Sequence, residues 1–202
     1  MLRTCHSFLA SALLYSLALP VVCVTAWSQT PSAPTTKLAL SAALVLTPEF
    51  CATKTKKGTW GINQETFPIG KAACDELEPT LKDTFLSLSH VQDASSAGGA
   101  QLVLIPKLVD AGATQTLGAF SNRELVVMVE WTVKDKGGKT VWVETVQGSA
   151  KHHMGNAFTH GKNVKLIVND SVKDMAEQSA AKMAASPELQ KLTSMSSEIT
   201  CH

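Results

Sequence analysis

Charged residues are scarce in this sequence: Asp, Glu, Lys and Arg make up 17% of its 202 residues, against roughly 25% in an average soluble domain. The formal net charge is +1, without any run of lysines or arginines. That removes the electrostatic footprint by which nucleic acid or an anionic membrane surface is held, so no nucleic-acid partner is expected. Lys54, Lys56 and Lys57 form the densest basic group and read as a solvated loop. Catalytic signatures are missing too. There is no G-x-S-x-G nucleophile elbow, no H-E-x-x-H and no C-x-x-C, which closes the usual sequence routes to a serine hydrolase, a zinc protease or a thioredoxin-like redox centre. Gly137-Gly138-Lys139-Thr140 imitates the end of a phosphate-binding loop. The imitation fails, because Val133 stands where that motif needs a glycine and a strand-like Val141-Trp142-Val143 follows where it needs a helix. No cofactor is implied.

Part of the charge deficit lies at the N-terminus. Met1 to Ala26 has Arg3 near its start, an apolar run from Phe8 to Val24 and small residues near its end, the three parts of an export signal. Val24-Thr25-Ala26 offers a cleavage site before Trp27, and Cys23 offers lipid attachment as the alternative, although Val22 suits a lipoprotein signal badly. The product is expected to be exported, periplasmic or secreted, with outer-membrane anchoring and membrane association only if Cys23 carries lipid. Residues 27–36, rich in Pro, Ser and Thr, read as a flexible leader. A single α+β domain is assigned to residues 37–192 and a polar tail to 193–202.

What the sequence has in quantity is alternation. From Asn122 to Lys134, Arg123, Leu125, Val127, Val129, Trp131 and Val133 share one side of a period-two ribbon. A second such segment runs from Thr140 to Gln147, and Asp135-Lys136-Gly137-Gly138 supplies the turn between them. A two-residue Gly137-Gly138 loop would set Trp142 beside Val133 and Trp131; a three-residue loop would set Val141 and Val143 there. Lys37 to Thr47 alternates as well, predicting a strand buried mostly on one side and closed by Pro48. Gln101 to Asp110 is apolar on both parities, as a strand covered on two faces would be. Its Pro106 places the second half at an edge or a bulge. Ala111 to Ser121 reads as a mobile loop, and Cys51 to Gly61 as a polar excursion followed by a short extended piece at Thr66 to Ile69.

Two helices are predicted. Ala73, Leu77, Leu81, Phe85 and Leu88 recur at helical spacing over Lys71 to Leu88, with Pro79 expected to kink or restart the helix. A longer stripe of Val164, Ile167, Val168, Val172, Met175, Ser179 and Met183 marks Asn163 to Ala185, ended by Ser186-Pro187. Glu188 to Leu192 reads as at most one further turn. A short strand is expected at Ser89 to Asp93.

Removal of the signal leaves Cys51, Cys74 and Cys201. In an oxidising compartment Cys51 and Cys74 are expected to pair, at about 3 kcal/mol of loop-closure stabilisation, with two independent thiols as the alternative. His152, His153, Met154 and His160 are the one dense set of soft metal ligands. Their spacing matches neither a zincin helix nor a zinc finger, so they are weak candidates and no metal is assigned. Glu130 and Glu144 read as solvent-side charges rather than an acid and base pair. Among the aromatics, Trp60, Phe120 and Phe158 are candidates for an interface.

Thr66-Phe67-Pro68-Ile69-Gly70 before a helix, then Leu102 to Lys107, then Leu125 to Lys134, the Gly-Gly turn and Thr140-Val141-Trp142 together resemble small bacterial envelope lipoproteins and periplasmic accessory proteins of the outer-membrane-assembly type. The resemblance implies a scaffold and carries over no catalytic residue; the poor signal at Cys23 departs from it. The expected fold is an α+β two-layer sandwich, a mostly antiparallel sheet with two main helices packed on one face. The expected function is non-enzymatic: binding another envelope component, protein or lipid, in an assembly or accessory role. A periplasmic carrier of a small apolar ligand or lipid is the alternative.

Overall fold

The computed structural model describes residues 37–59, 63–115, 122–153 and 160–198. Cys23, Ala26, Trp27, Trp60, Phe120, Met154 and Phe158 lie outside them, as do the leader and the last four residues. Among the described residues no helix is long and apolar enough to cross a membrane.

Strand β1 (Leu38–Val45) buries Leu38, Leu40, Ala42 and Leu44 on one parity. Ala43 and Val45, on the other parity, are buried as well, so this strand is covered on both faces rather than mostly on one. The chain then turns through a one-turn helix α1 (Pro48–Cys51), where Thr47 Oγ1 accepts from the Phe50 amide at 3.1 Å and Pro48 sits at the first helical position. No intrahelical donor is needed there.

The polar excursion proves to be half of a hairpin. β2 (Thr55–Thr59) pairs antiparallel with β3 (Asn63–Phe67) as a separate two-stranded ribbon. Thr-Lys-Lys-Gly-Thr carries no apolar alternation, so nothing in its side chains announced a strand. Helix α2 (Ile69–Leu81) follows and buries Ile69, Ala73, Leu77 and Leu81. Pro79 falls within its last turn and neither restarts nor ends it; the ring removes the one bond that an amide there would give to the Asp75 carbonyl. The predicted continuation to Leu88 is wrong. Phe85 and Leu88 belong to β4 (Phe85–Val91), with Phe85 buried, and the strand expected at Ser89 is this one begun four residues earlier.

β5 (Leu102–Gln115), β6 (Asn122–Asp135) and β7 (Thr140–His153) complete a five-stranded sheet of order β4-β1-β5-β6-β7. β1 pairs in parallel with β4 and β5 over short ladders, while β5, β6 and β7 form a long antiparallel meander. The sheet is therefore mostly antiparallel. Because β4 and β5 lie on either side of β1, the segment 92–101 that joins them has to cross that strand. β5 continues to Gln115 and takes in the first part of the predicted mobile loop. Beyond Leu104 it has no β1 partner, and its ladder with β6 bulges between Leu108 and Asp110. Pro106 thus lies where an edge and a bulge tolerate it.

At the central hairpin both proposed loops contribute something. Asp135 N donates to Lys139 O at 2.9 Å and Gly138 N to Asp135 O at 2.9 Å, with Gly138 at φ 81°. This is a three-residue loop with a left-handed glycine. A register shift between Lys134 and Val133 then makes Val141 an extra residue, so Trp142 faces Val133 after all. Trp142 joins the core and Val143 stays out.

α3 (His160–Ala185) lies against β6 and β7 with Ile167, Val168, Val172, Met175, Ser179 and Met183 buried. Two hydrogen bonds fix its rotation. Trp131 Nε1 donates to Ser179 Oγ at 2.9 Å, and Ser171 Oγ donates to Leu125 O at 3.0 Å. The contact is tight enough that a Cβ on Gly148 would come 2.2 Å from Met175 N. The expected two-layer sandwich, with α2 and α3 on one face, is what forms. One expectation fails at the end: α4 (Pro187–Glu198) is a twelve-residue helix, not a single turn and a tail. Ser186 Oγ accepts from the Leu189 amide at 3.3 Å, Pro187 occupies the first position and Leu189 is fully buried. A cap and the buried Leu189 start the helix, and Leu192, partly buried against the core, continues its apolar side.

Candidate functional site

β7 is hydrogen-bonded to β6 alone and forms one margin of the sheet. Its backbone polarity can be read from a single bond: Ser149 N donates to Asp174 Oδ2 of α3 at 2.8 Å. Amides alternate along a strand, so those of Val143, Thr145 and Gln147 also point off the sheet. Asp174 closes this edge at Ser149. From Val143 to Gln147 the edge is open, and the Val143 side chain is 56% exposed.

Beside the open part lies a hollow of about 470 Å³ between the strand and the α3/α4 junction, with Trp142, Val143, Ala185 and Pro187 on its apolar side. Glu144 and Lys182 pair across it. Glu188 on its rim accepts from Ser186 Oγ at 2.7 Å, and that hydroxyl holds its carboxyl below the usual glutamate value. Such an arrangement offers backbone donors and acceptors in a row plus a place for an apolar side chain. It can bind an extended segment. Nothing at it activates a nucleophile.

Of the histidine set, His152 and His153 do not converge. His152 and His153 are neighbours in β7 and so point to opposite faces. His152 Nε2 lies 2.6 Å from Asp170 Oδ2 of α3, while His153 offers its carbonyl to Asn163 Nδ2 at 3.2 Å. Met154 lies outside the described residues, and His160 opens α3. Opposite His152 in the ladder is Arg123, 8% exposed, whose guanidinium is pushed down from the usual arginine value by burial. This corner ties the N-terminal half of α3 to the sheet. Among the described residues no group of three or more His, Cys, Asp or Glu is placed to hold a metal ion.

Glu130 and Glu144 are likewise kept apart. Glu130 faces Thr145 and lies 3.7 Å from Lys107 on the face away from the helices, whereas Glu144 faces Trp131 on the helix side. Cys51 and Cys74 form the expected disulfide, joining α1 to α2 around the β2–β3 ribbon. The edge of β7 was hidden from sequence reading because alternation gives the faces of a strand and never its neighbours. A long strand with no proline and few charges was the available signal.

A second concavity, a groove of about 670 Å³, runs between α2 and α3. Ala72, Val164 and Val168 form its apolar floor and Lys71, Glu76 and Lys165 stand among its charged walls. It was not visible in the sequence, since four of the sheet's five strands lie between the two helices in the chain.

No protein-family model matches the sequence, and no curated protein matches it. By structure, the chain is similar to a protein from Xanthomonas campestris of the DUF330 family, with TM-score 0.54 and 7% identity over 84% of this chain and 92% of that one. It also matches a minor lipoprotein from Acinetobacter baumannii with TM-score 0.46 and 14% identity, over 74% of this chain and 94% of that one. At such identities the likeness is one of fold alone, and it rests on the Xanthomonas protein: the chain shares that protein's fold over most of both lengths.

Proposed function

We propose that this chain is an exported cell-envelope protein that acts by binding, and that it docks another envelope component along the open edge of β7. The observation that carries the reading is the edge itself: outward amides from Val143 to Gln147, closed at Ser149 by Asp174, with a hollow floored by Trp142 alongside. The export-type N-terminus places such an edge where an envelope partner can reach it. An extended segment adding to β7 gains main-chain hydrogen bonds, which give affinity but little selectivity; one apolar side chain in the hollow supplies the selectivity. The carrier alternative needs room between helices and sheet. Leu104, Trp131, Ile167 and Met175 fill that space with no exposed surface.

The test is Thr145→Pro, which deletes one outward amide while an edge strand tolerates the ring. Affinity capture from cross-linked envelope fractions should retrieve one reproducible partner with the wild-type chain and lose it with T145P. Equal recovery by both chains, or no partner for the wild type, would overturn the proposal.

A further inference from the structure

The groove between α2 and α3 is distinguished by how its wall charges are paired. Lys71 pairs with Asp75 at 2.9 Å and Lys173 with Glu177 at 3.8 Å, while Asp170 Oδ2 shares a hydrogen bond with His152 Nε2, which is charged only when protonated. Two wall residues are left over. Lys165 has no charged partner among the described residues, and Glu76 has only the Thr80 hydroxyl, at 3.1 Å. One is a cation and the other an anion, on facing helices, yet they do not pair with each other. Between them the floor is apolar: Ala72 and Val164 are partly buried against the core and Val168 is buried. Two charges of opposite sign held apart above an apolar strip are complementary to a molecule with the same pattern. An anionic group is drawn to Lys165, a cationic group to Glu76, and a hydrocarbon chain to the strip beneath. The volume of about 670 Å³ lies within the range of about 300–1,000 Å³ usual for small-molecule sites.

We infer that this groove binds a zwitterionic amphiphile, a phosphodiester with a primary ammonium and one alkyl chain, of the kind an ethanolamine phospholipid presents. The phosphodiester sits at Lys165, the ammonium at Glu76, and the chain lies along Ala72, Val164 and Val168. Either partial match is poorer: an anionic head leaves Glu76 facing like charge, and a head without a chain leaves the floor wet. The site is independent of the β7 edge, which is formed by a different strand and the other end of α3.

The experiment is titration calorimetry of the full exported chain with lysophosphatidylethanolamine below its micelle concentration. Lysophosphatidylglycerol, which lacks the ammonium, and glycerophosphoethanolamine, which lacks the chain, serve as comparisons. Saturable binding of the first, with the other two at least about tenfold weaker, is expected. Lys165→Gln and Glu76→Gln should each weaken it several-fold while thermal midpoints stay unchanged, and T145P should bind like wild type, which separates this site from the docking edge. Absence of saturable binding, equal binding of lysophosphatidylglycerol, equal binding of the chainless head, or insensitivity to both substitutions would each overturn the inference.

Discussion

Replacing Gly148 by alanine gives the sharpest test of how this fold is held, because two physical effects predict opposite signs. By backbone entropy, glycine inside a strand weakens it by roughly 0.5–1 kcal/mol relative to alanine, so Gly148→Ala should stabilise. By packing it should do the reverse. A Cβ at this position would come 2.2 Å from Met175 N, 2.4 Å from Ser171 O and 2.5 Å from Met175 Cα, all atoms of the α3 backbone. No rotamer can relieve such a clash, and α3 has to back away from β7 by about 1 Å to reach ordinary contact, which lowers the attraction along the whole seam. Overpacking of this kind costs about 1–3 kcal/mol. Retreat of α3 also stretches the 2.9 Å bond from Trp131 to Ser179, worth about 1 kcal/mol. The sum, about 2–4 kcal/mol, outweighs the entropic gain. Urea unfolding followed by tryptophan fluorescence should show a lower midpoint at unchanged slope, and the melting temperature should fall by about 2–14 °C for the net loss of about 1–3.5 kcal/mol, on the scale for a chain of this size. A variant as stable as wild type, or more so, would refute the tight helix-on-strand seam on which the description of α3 depends.

Three further predictions follow from single contacts. Ser179→Ala leaves the buried Trp131 Nε1 without its acceptor and should cost about 1–3 kcal/mol in the same urea assay; a change near zero would mean that the indole finds another partner. Replacing both Cys51 and Cys74 by alanine opens a loop of sequence separation 23, which the chain-entropy relation values at about 3.4 kcal/mol. Oxidised and reduced wild type should differ by the same amount, and coincident unfolding curves would show that the ribbon needs no staple. Glu188 concerns pH. Its folded carboxyl lies below the ordinary value of 4.5 because the Ser186 hydroxyl donates to it. Its stabilising effect is therefore complete above that value and is lost as the pH falls through the folded one. A carboxyl NMR titration should place its midpoint below that of Glu188 in Ser186→Ala, and identical midpoints in the two chains would remove the assignment.

Much of this architecture could be read from residue order. The β6 alternation from Arg123 to Val133 named a buried side correctly at every position, and the α3 stripe did the same from Ile167 to Met183. Both are long amphipathic elements, where one periodicity repeats often enough to dominate. The errors fall where periodicity is short or shared by two conformations. Phe85 and Leu88 stand at helical spacing from Leu81, and only the turn at residues 82–84 makes them strand residues. β2 has no apolar pattern at all, being held by backbone pairing with β3. The pairing of Cys51 with Cys74 was anticipated from compartment and count, together with its joining of the polar excursion to the first helix.

Local chemistry alone determined the hairpin, the two main helices and the absence of any familiar catalytic motif, because propensity, alternation and turn residues act within a few positions of one another. Tertiary structure decided the rest. Which strand became an edge and which charges remained unpaired between α2 and α3 depend on contacts between segments far apart in the chain. No local pattern encodes a neighbour that arrives from a hundred residues away.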